Sequence, residues 1–199
     1  AAEGKTVIFI RDDNGILALA AMKDTVREEA KKAVNALKNH GIHVVMLTGD
    51  NEYTANVIAK EAGVNEYVAE CLPETKVEYI KKYNEQYEQV GMVGDGINDA
   101  PALATASVGI AMGDGTDVAL ETADIVLMKN NLTKIEYAIR MSRKMQRIVK
   151  QNMFFSISVI ILLVISNFFQ AINLPLGVIG HEGSTILVIL NGLRMLRNM

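Results

Sequence analysis

The chain has 199 residues, half of them hydrophobic, a formal charge of −3 and a single cysteine, Cys71. That length accommodates one good domain and something extra. The charge gives no basic field for nucleic acid, and a lone cysteine excludes an internal disulfide framework and fits a reducing compartment.

In chain order, "TVIFI" and "ILALAAM" read as a hairpin around "RDDNG". A helix is expected from Thr25, where Glu28 completes a capping-box pattern. Strand "HVVMLT", helix "EYTANVIAKEAG", strand "YVAEC", helix "PETKVEYIKKYNEQY" and strand "VGMVGD" follow. Helix "NDAPALATA", strand "SVGIAM", helix "TDVALETA" and strand "DIVLM" continue the alternation. This βαβ repetition predicts an α/β domain with a mainly parallel sheet and helices on both faces. The opening hairpin does not fit the repeat, so residues 1–22 are assigned to the end of a neighbouring domain.

"TKIEYAIRMSRKMQRIVK" is a basic amphipathic helix leading into "NMFFSISVIILLVISNFFQAIN". No charged residue lies between Lys150 and His181, nor between Glu182 and Arg194. The first gap is long enough to cross a bilayer of roughly 30 Å at about 1.5 Å per residue. It lies far from the N-terminus, so it is no signal peptide. Arg140, Arg143, Lys144, Arg147 and Lys150 precede the apolar region, Arg194 and Arg197 follow it, and the connector "NLPLG" carries no Lys or Arg. The positive-inside rule then gives a transmembrane helical hairpin with both ends in the cytoplasm. A buried core hairpin of a soluble protein is the competing reading, but so small a domain covers such spans poorly.

Three motifs fall at the same edge of the expected sheet. "MLTGDN" places Thr48 and Asp50 just after one strand, "PETK" puts Lys76 at the start of a helix, and "GDGINDAP" supplies Asp95 and Asp99 after another strand. In open α/β sheets the C-terminal strand edge is where ligands bind, and Gly94, Gly96 and Asn98 let backbone approach one closely. Phosphoryl transfer needs a hydroxyl and backbone N–H groups on the phosphate oxygens, a cation for their charge and carboxylates for Mg²⁺. Thr48, Lys76 and Asp95 match those needs one for one. Rival phosphate motifs fail on spacing: Asp99 stands where the dinucleotide fingerprint wants a glycine, and Gly96 directly after Asp95 breaks the calcium-loop pattern. "MGDGTD", Met112 to Asp117, is read as a packing loop.

"MLTGDN", "PETK", "VGDGINDAPALATASVGIAMGDGTDVALETADIVL" and the basic helix after them resemble the phosphorylation domain of heavy-metal-transporting P-type ATPases. The resemblance extends over essentially the whole chain. It implies a haloacid-dehalogenase-like Rossmann fold followed by a two-helix transmembrane hairpin. Residues 1–22 would end a nucleotide-binding domain, 23–133 form the phosphorylation domain, 134–150 a basic linker helix and 151–199 the hairpin. ATP is the implied substrate, an aspartyl phosphate the intermediate and Mg²⁺ the cofactor. Carried over by motif, Thr48 and Gly49 would contact the phosphoryl group, Asp50 would lie beside it and Lys76 would pair with its charge. Asp95 would ligate Mg²⁺, and Asn98 and Asp99 would complete the site.

The departures are equally specific. The nucleophile motif Asp-Lys-Thr-Gly-Thr, the actuator Thr-Gly-Glu and the Cys-Pro-Cys or Ser-Pro-Cys of the main transport helix are absent. The chain is therefore expected to be the C-terminal part of a pump, inactive alone and partnered by the pump's N-terminal parts. Cys71 is read as packing. A membrane-tethered phosphatase of the same fold is the alternative function, and a noncatalytic fragment the third.

His181 and Glu182 are the ionisable groups within the hairpin's apolar core, where such groups are costly and functional by default. Helical spacing puts Ser184 or Thr185 on the face of His181, and imidazole with carboxylate suits a divalent first-row metal. "HEGST" resembles the terminal-helix signature of exporters of cobalt, zinc and iron. Transport, as export, of a divalent ion such as Zn, Cd, Co or Fe is implied, from a multi-pass position in the plasma membrane with the α/β domain cytoplasmic. The competing position for the pair is the outer membrane interface, if the last helix starts as late as Val178.

Overall fold

The computed structural model describes residues 5–12, 15–23, 25–170 and 173–198. These divide into two compact units, residues 1–136 and 137–199.

The first unit opens with β1 (Lys5–Asp12) and β2 (Gly15–Lys23), an antiparallel hairpin that pairs Phe9 with Leu19 and carries an irregularity between Ile10 and Arg11. Phe9, Ile16, Leu17 and Leu19 are exposed. Two residues of the expected turn, 13 and 14, lie outside the described residues. The next helix, α1 (Glu28–Asn39), starts later than the capping pattern suggested, with Arg27 at the N-cap and no side-chain cap. Thr25, Val26 and Arg27 instead line a cleft ahead of the helix, with Arg27 extended, so tertiary packing overrides the local signal.

The βαβ repeat then follows as expected. Its elements are β3 (Val45–Leu47), α2 (Glu52–Ala62), β4 (Glu66–Val68), α3 (Pro73–Gln86), β5 (Gly91–Gly94), α4 (Ala100–Thr105), β6 (Val108–Met112), α5 (Asp117–Thr122) and β7 (Ile125–Leu127). Asn51 caps α2, its Oδ1 accepting from the Thr54 amide at 3.1 Å. Pro73 occupies the first turn of α3, where its missing N–H costs nothing. The core joins Ile80, Met92, Ala102, Leu103, Ala111 and Ala119. Its many alanines bring the short helices α4 and α5 close to β6, at little side-chain entropy cost.

All ladders after the hairpin are parallel, but they form two groups rather than one sheet: β3 with β4, and β5 with β6 and β7. Among the described residues β3 and β5 each have one ladder neighbour. An apolar cleft of about 380 Å³ has Val45, Met46 and Leu47 of β3, Ile58 and Ala62 of α2 and Val93 of β5 in its lining.

The second unit is an antiparallel helical pair. The basic helix and the apolar span merge into one helix, α6 (Thr133–Phe168), without a break at Lys150. The last long helix, α7 (Leu174–Gly192), takes in most of the expected connector. Asn173 caps it through an Oδ1 that accepts from the Leu176 amide at 3.3 Å, and Pro175 sits in its first turn. The helix therefore starts before Val178. Both helices are long and apolar enough to cross a membrane. Gly180 packs close to Leu163, where an added Cβ would lie 3.2 Å from a Leu163 methyl.

Candidate functional site

The three motifs form a chain of contacts at the C-terminal ends of β3 and β5. Thr48 directly follows β3, and its amide donates to the Val68 carbonyl at 3.0 Å, extending the ladder. Its hydroxyl donates to Asp50 Oδ2 at 2.9 Å while accepting from the Asp50 amide at 3.1 Å, which tightens the turn through exposed Gly49. The Cys71 amide donates to the Thr48 carbonyl at 2.9 Å, and the Glu70 amide to the Asp50 carbonyl at 2.9 Å. Glu70 holds a left-handed φ of 54°, unfavourable for a residue with a side chain. That strained bend delivers the chain to the start of α3 and so to Lys76. Burial pushes the Cys71 thiol up from its ordinary pKa, consistent with a packed, un-ionised side chain.

Lys76 reaches across to the second strand end. Its Nζ donates to Asp99 Oδ1 at 2.7 Å, with the two side chains only 16% and 12% exposed. Asp99 Oδ2 faces the amides of Asp95 and Gly96 at 3.4 and 3.5 Å, so this carboxylate organises the loop after β5 as well as the lysine. Gly94 is required for that approach: a Cβ there would fall 2.6 Å from Asp99 Cβ and 2.9 Å from its carboxyl carbon. The "MGDGTD" loop closes the other side, the Thr116 amide donating to the Asp95 carbonyl at 3.0 Å. A Cβ on Gly115 would lie 2.9 Å from that same oxygen. Its contact with Asp95 is through backbone.

Asp95 itself is exposed, and its carboxylate has no hydrogen bond or ion pair among the described residues. Asn98 is exposed beside it, in a single 3-10 turn (Ile97–Asp99). A free carboxylate next to one already neutralised by lysine offers hard oxygen to a small cation. Mg²⁺ takes one or two protein carboxylates and keeps water and phosphate oxygens for the rest of its shell. The donor set fits that ion.

In the second unit His181 Nδ1 lies 3.6 Å from Glu182 Oε1, with side chains 61% and 70% exposed. The hydroxyls of Ser184 and Thr185 both donate to the His181 carbonyl, at 2.6 and 3.3 Å. These bonds run to the His181 backbone, not to its imidazole. Among the described residues no three His, Cys, Asp or Glu side chains gather as a complete metal cage. Sequence reasoning overlooked two features: the strained Glu70 bend, which has no sequence signal, and a pair of amides in the helices, Asn152 and Asn191, whose signal was their place in apolar runs.

Residues 1–107 match the family model described as haloacid dehalogenase-like hydrolase. The chain is 60% identical over 194 residues to the zinc-transporting ATPase of Bacillus subtilis (strain 168), covering 98% of this chain and 30% of that protein. It is 45% identical over 197 residues to the cadmium-transporting ATPase of Staphylococcus aureus, covering 98% of this chain and 27% of that protein. A crystal structure of a zinc-transporting PIB-type ATPase in the E2.Pi state superposes with a TM-score of 0.90 at 39% identity, over 98% of this chain and 32% of the other. The chain thus spans less than a third of the length of each of these relatives.

Proposed function

The chain belongs to the haloacid dehalogenase-like hydrolases, and we propose that it is the phosphorylation and terminal membrane segment of a heavy-metal P-type ATPase. The complete pump would couple ATP hydrolysis, through an aspartyl phosphate, to export of a divalent transition metal across the plasma membrane. Its α/β unit and both ends of the hairpin would face the cytoplasm. The metal transport named for the relatives favours this reading over a tethered phosphatase. The observation that carries it is the buried Lys76–Asp99 pair beside the unpartnered Asp95 carboxylate, at a strand edge that also holds Thr48.

Each group then has a chemical task. The Thr48 hydroxyl turns from Asp50 toward a phosphoryl oxygen, and the Gly49 amide adds a second donor. Asp99 orients the Lys76 ammonium so that its remaining protons reach the transferring group. Charge placed in advance in this way is the main source of catalysis in phosphoryl transfer. Asp95, with Asn98 nearby, would hold Mg²⁺, which supplies charge neutralisation on the phosphate when bound.

The nucleophilic aspartate comes from residues outside this chain. The apolar cleft lined by β3 and β5 suits the strand that carries it, since among the described residues each of these strands has one ladder neighbour and pairs with it in parallel. A strand inserted there would end between Thr48 and Asp95. On this reading the 199-residue chain alone forms no phosphoenzyme. The test is acid-stable label from γ-labelled ATP. The complete pump should incorporate it, the Asp95→Asn pump should lose most of it, and the isolated chain should show none. Label on the isolated chain, or wild-type rates in the Asp95→Asn pump, would refute the assignment.

A further inference from the structure

Halfway along α6 the side chain of Asn152 meets α7 in a relay of hydrogen bonds. Arg194 Nη1 donates to Asn191 Oδ1 at 2.8 Å, Asn191 Nδ2 donates to Asn152 Oδ1 at 2.8 Å, and Asn152 Nδ2 donates to the Val188 carbonyl at 3.3 Å. Further outward, Lys144 Nζ donates to the Met195 carbonyl at 3.4 Å. A cleft of about 260 Å³ beside the relay is lined by Gln151, Phe155, Leu187 and the same two asparagines.

The relay is unsuited to holding a cation. Both amide oxygens already accept hydrogen bonds, and the guanidinium at Asn191 repels positive charge. It is well suited to fixing two helices in register, because an amide in an apolar span that slips loses its partner without gaining water. Register matters here because of what lies further along α7. His181 stands ten residues before Asn191, about 15 Å at the helical rise. A relay held at the cytoplasmic edge, where Lys150 and Arg194 flank the apolar runs, thus puts His181 and Glu182 near the middle of a bilayer core of roughly 30 Å.

We propose that Asn152, Asn191 and Arg194 form a clasp that sets the depth and orientation of the His181–Glu182 pair, and that Asn152 and Asn191 are positioning residues for metal binding. The clasp touches neither phosphate nor metal and acts through α7. It rests on the reading of His181 and Glu182 as metal contacts.

The experiment is a double-mutant cycle in the complete pump, with Zn²⁺ as the probe. Asn152→Ala and Asn191→Ala should each raise the half-activating Zn²⁺ concentration about five-fold or more, the scale of a coupling between two sites. The maximal rate should stay within about two-fold, since transition-state interactions are untouched. The double variant should fall clearly short of the product of the single effects, because both singles already lose the Asn152–Asn191 bond. Asn191→Asp, nearly isosteric, keeps an acceptor for Arg194 but cannot donate to Asn152, so it should behave as Asn191→Ala. Single effects that multiply in the double variant, or Zn²⁺ activation unchanged in both singles, would overturn the clasp. A wild-type pump that Zn²⁺ fails to stimulate would instead remove the metal reading. Thermal unfolding of the pump then decides the clasp by itself: a midpoint shift in the double smaller than the sum of the single shifts supports it, and additive shifts overturn it.

Discussion

Lys76 Nζ sits 2.7 Å from Asp99 Oδ1, joining the first turn of α3 to the loop after β5 across 23 residues of sequence. Both side chains are largely buried, and Asp99 also faces two backbone amides. This pair therefore has two roles, holding the loop in shape and presenting an ammonium at the strand edge.

Removing one partner strands the other charge. Lys76→Ala and Asp99→Ala should each destabilise the α/β unit by about 3 kcal/mol, the usual cost of breaking a buried ion pair from one side. The double variant should lose clearly less than the sum. Urea unfolding of the three variants measures this, and strict additivity would show that the two charges act independently.

Gly94→Ala tests the same loop through sterics. The new Cβ would meet Asp99 Cβ at 2.6 Å, and the obstacle is the root of a side chain that the lysine holds in place. Overpacking of this kind costs about 1–3 kcal/mol, and phosphorylation in the complete pump should fall with it as the carboxylate is displaced. A fully active, fully stable Gly94→Ala pump would mean that the loop has room to shift.

The parts of this molecule legible in the sequence are those whose signal is local. Alternating apolar runs gave the β3 to β7 series, and glycine beside aspartate marked Gly94–Asp95 as a close approach. The long apolar stretches marked α6 and α7 as helices long and apolar enough to cross a membrane. What stayed hidden depends on contacts between distant residues. Thr25 carries a capping signal, yet the chain around it is taken up by the cleft beside β3 and α1 starts at Glu28. The division between β4–β3 and β5–β6–β7 reflects the open edges of β3 and β5, which no pattern within either strand encodes. The left-handed Glu70 is equally illegible, because glutamate has no preference for that conformation and is forced into it between Asp50 and α3.

Cys71 gives a prediction about pH. Its side chain is buried and its pKa raised by that burial, so the folded state keeps the proton at pH values where the unfolded chain has lost it. Stability from this group is complete below the ordinary thiol range and declines as pH rises above about 8.5. Cys71→Ala should flatten part of the alkaline loss of stability. Iodoacetamide should label the folded chain slowly at neutral pH and rapidly after unfolding. Rapid labelling of the folded protein would place the thiol at the surface.

The His181–Glu182 pair gives the prediction that bears most directly on the proposed transport. In the complete pump His181→Ala and Glu182→Ala should each abolish metal-stimulated ATPase activity. Phosphorylation by inorganic phosphate should persist in both, because on the proposed reading that reaction would use the Thr48, Lys76 and Asp95 edge and no transported metal. The ion should be divalent, with Co²⁺, Zn²⁺ or Fe²⁺ preferred over Cu⁺. Imidazole and carboxylate are hard or intermediate ligands, and the "HEGST" turn offers neither thiol nor thioether to a soft monovalent ion. The two hydroxyls add to this, since Ser184 and Thr185 spend their protons on the His181 carbonyl and keep oxygen lone pairs for a cation. Metal titrations of ATPase activity, run beside phosphorylation from labelled inorganic phosphate, separate the two sites. Stronger stimulation by Cu⁺ than by all three divalent ions, or undiminished divalent stimulation in both alanine variants, would remove this pair from the transport path.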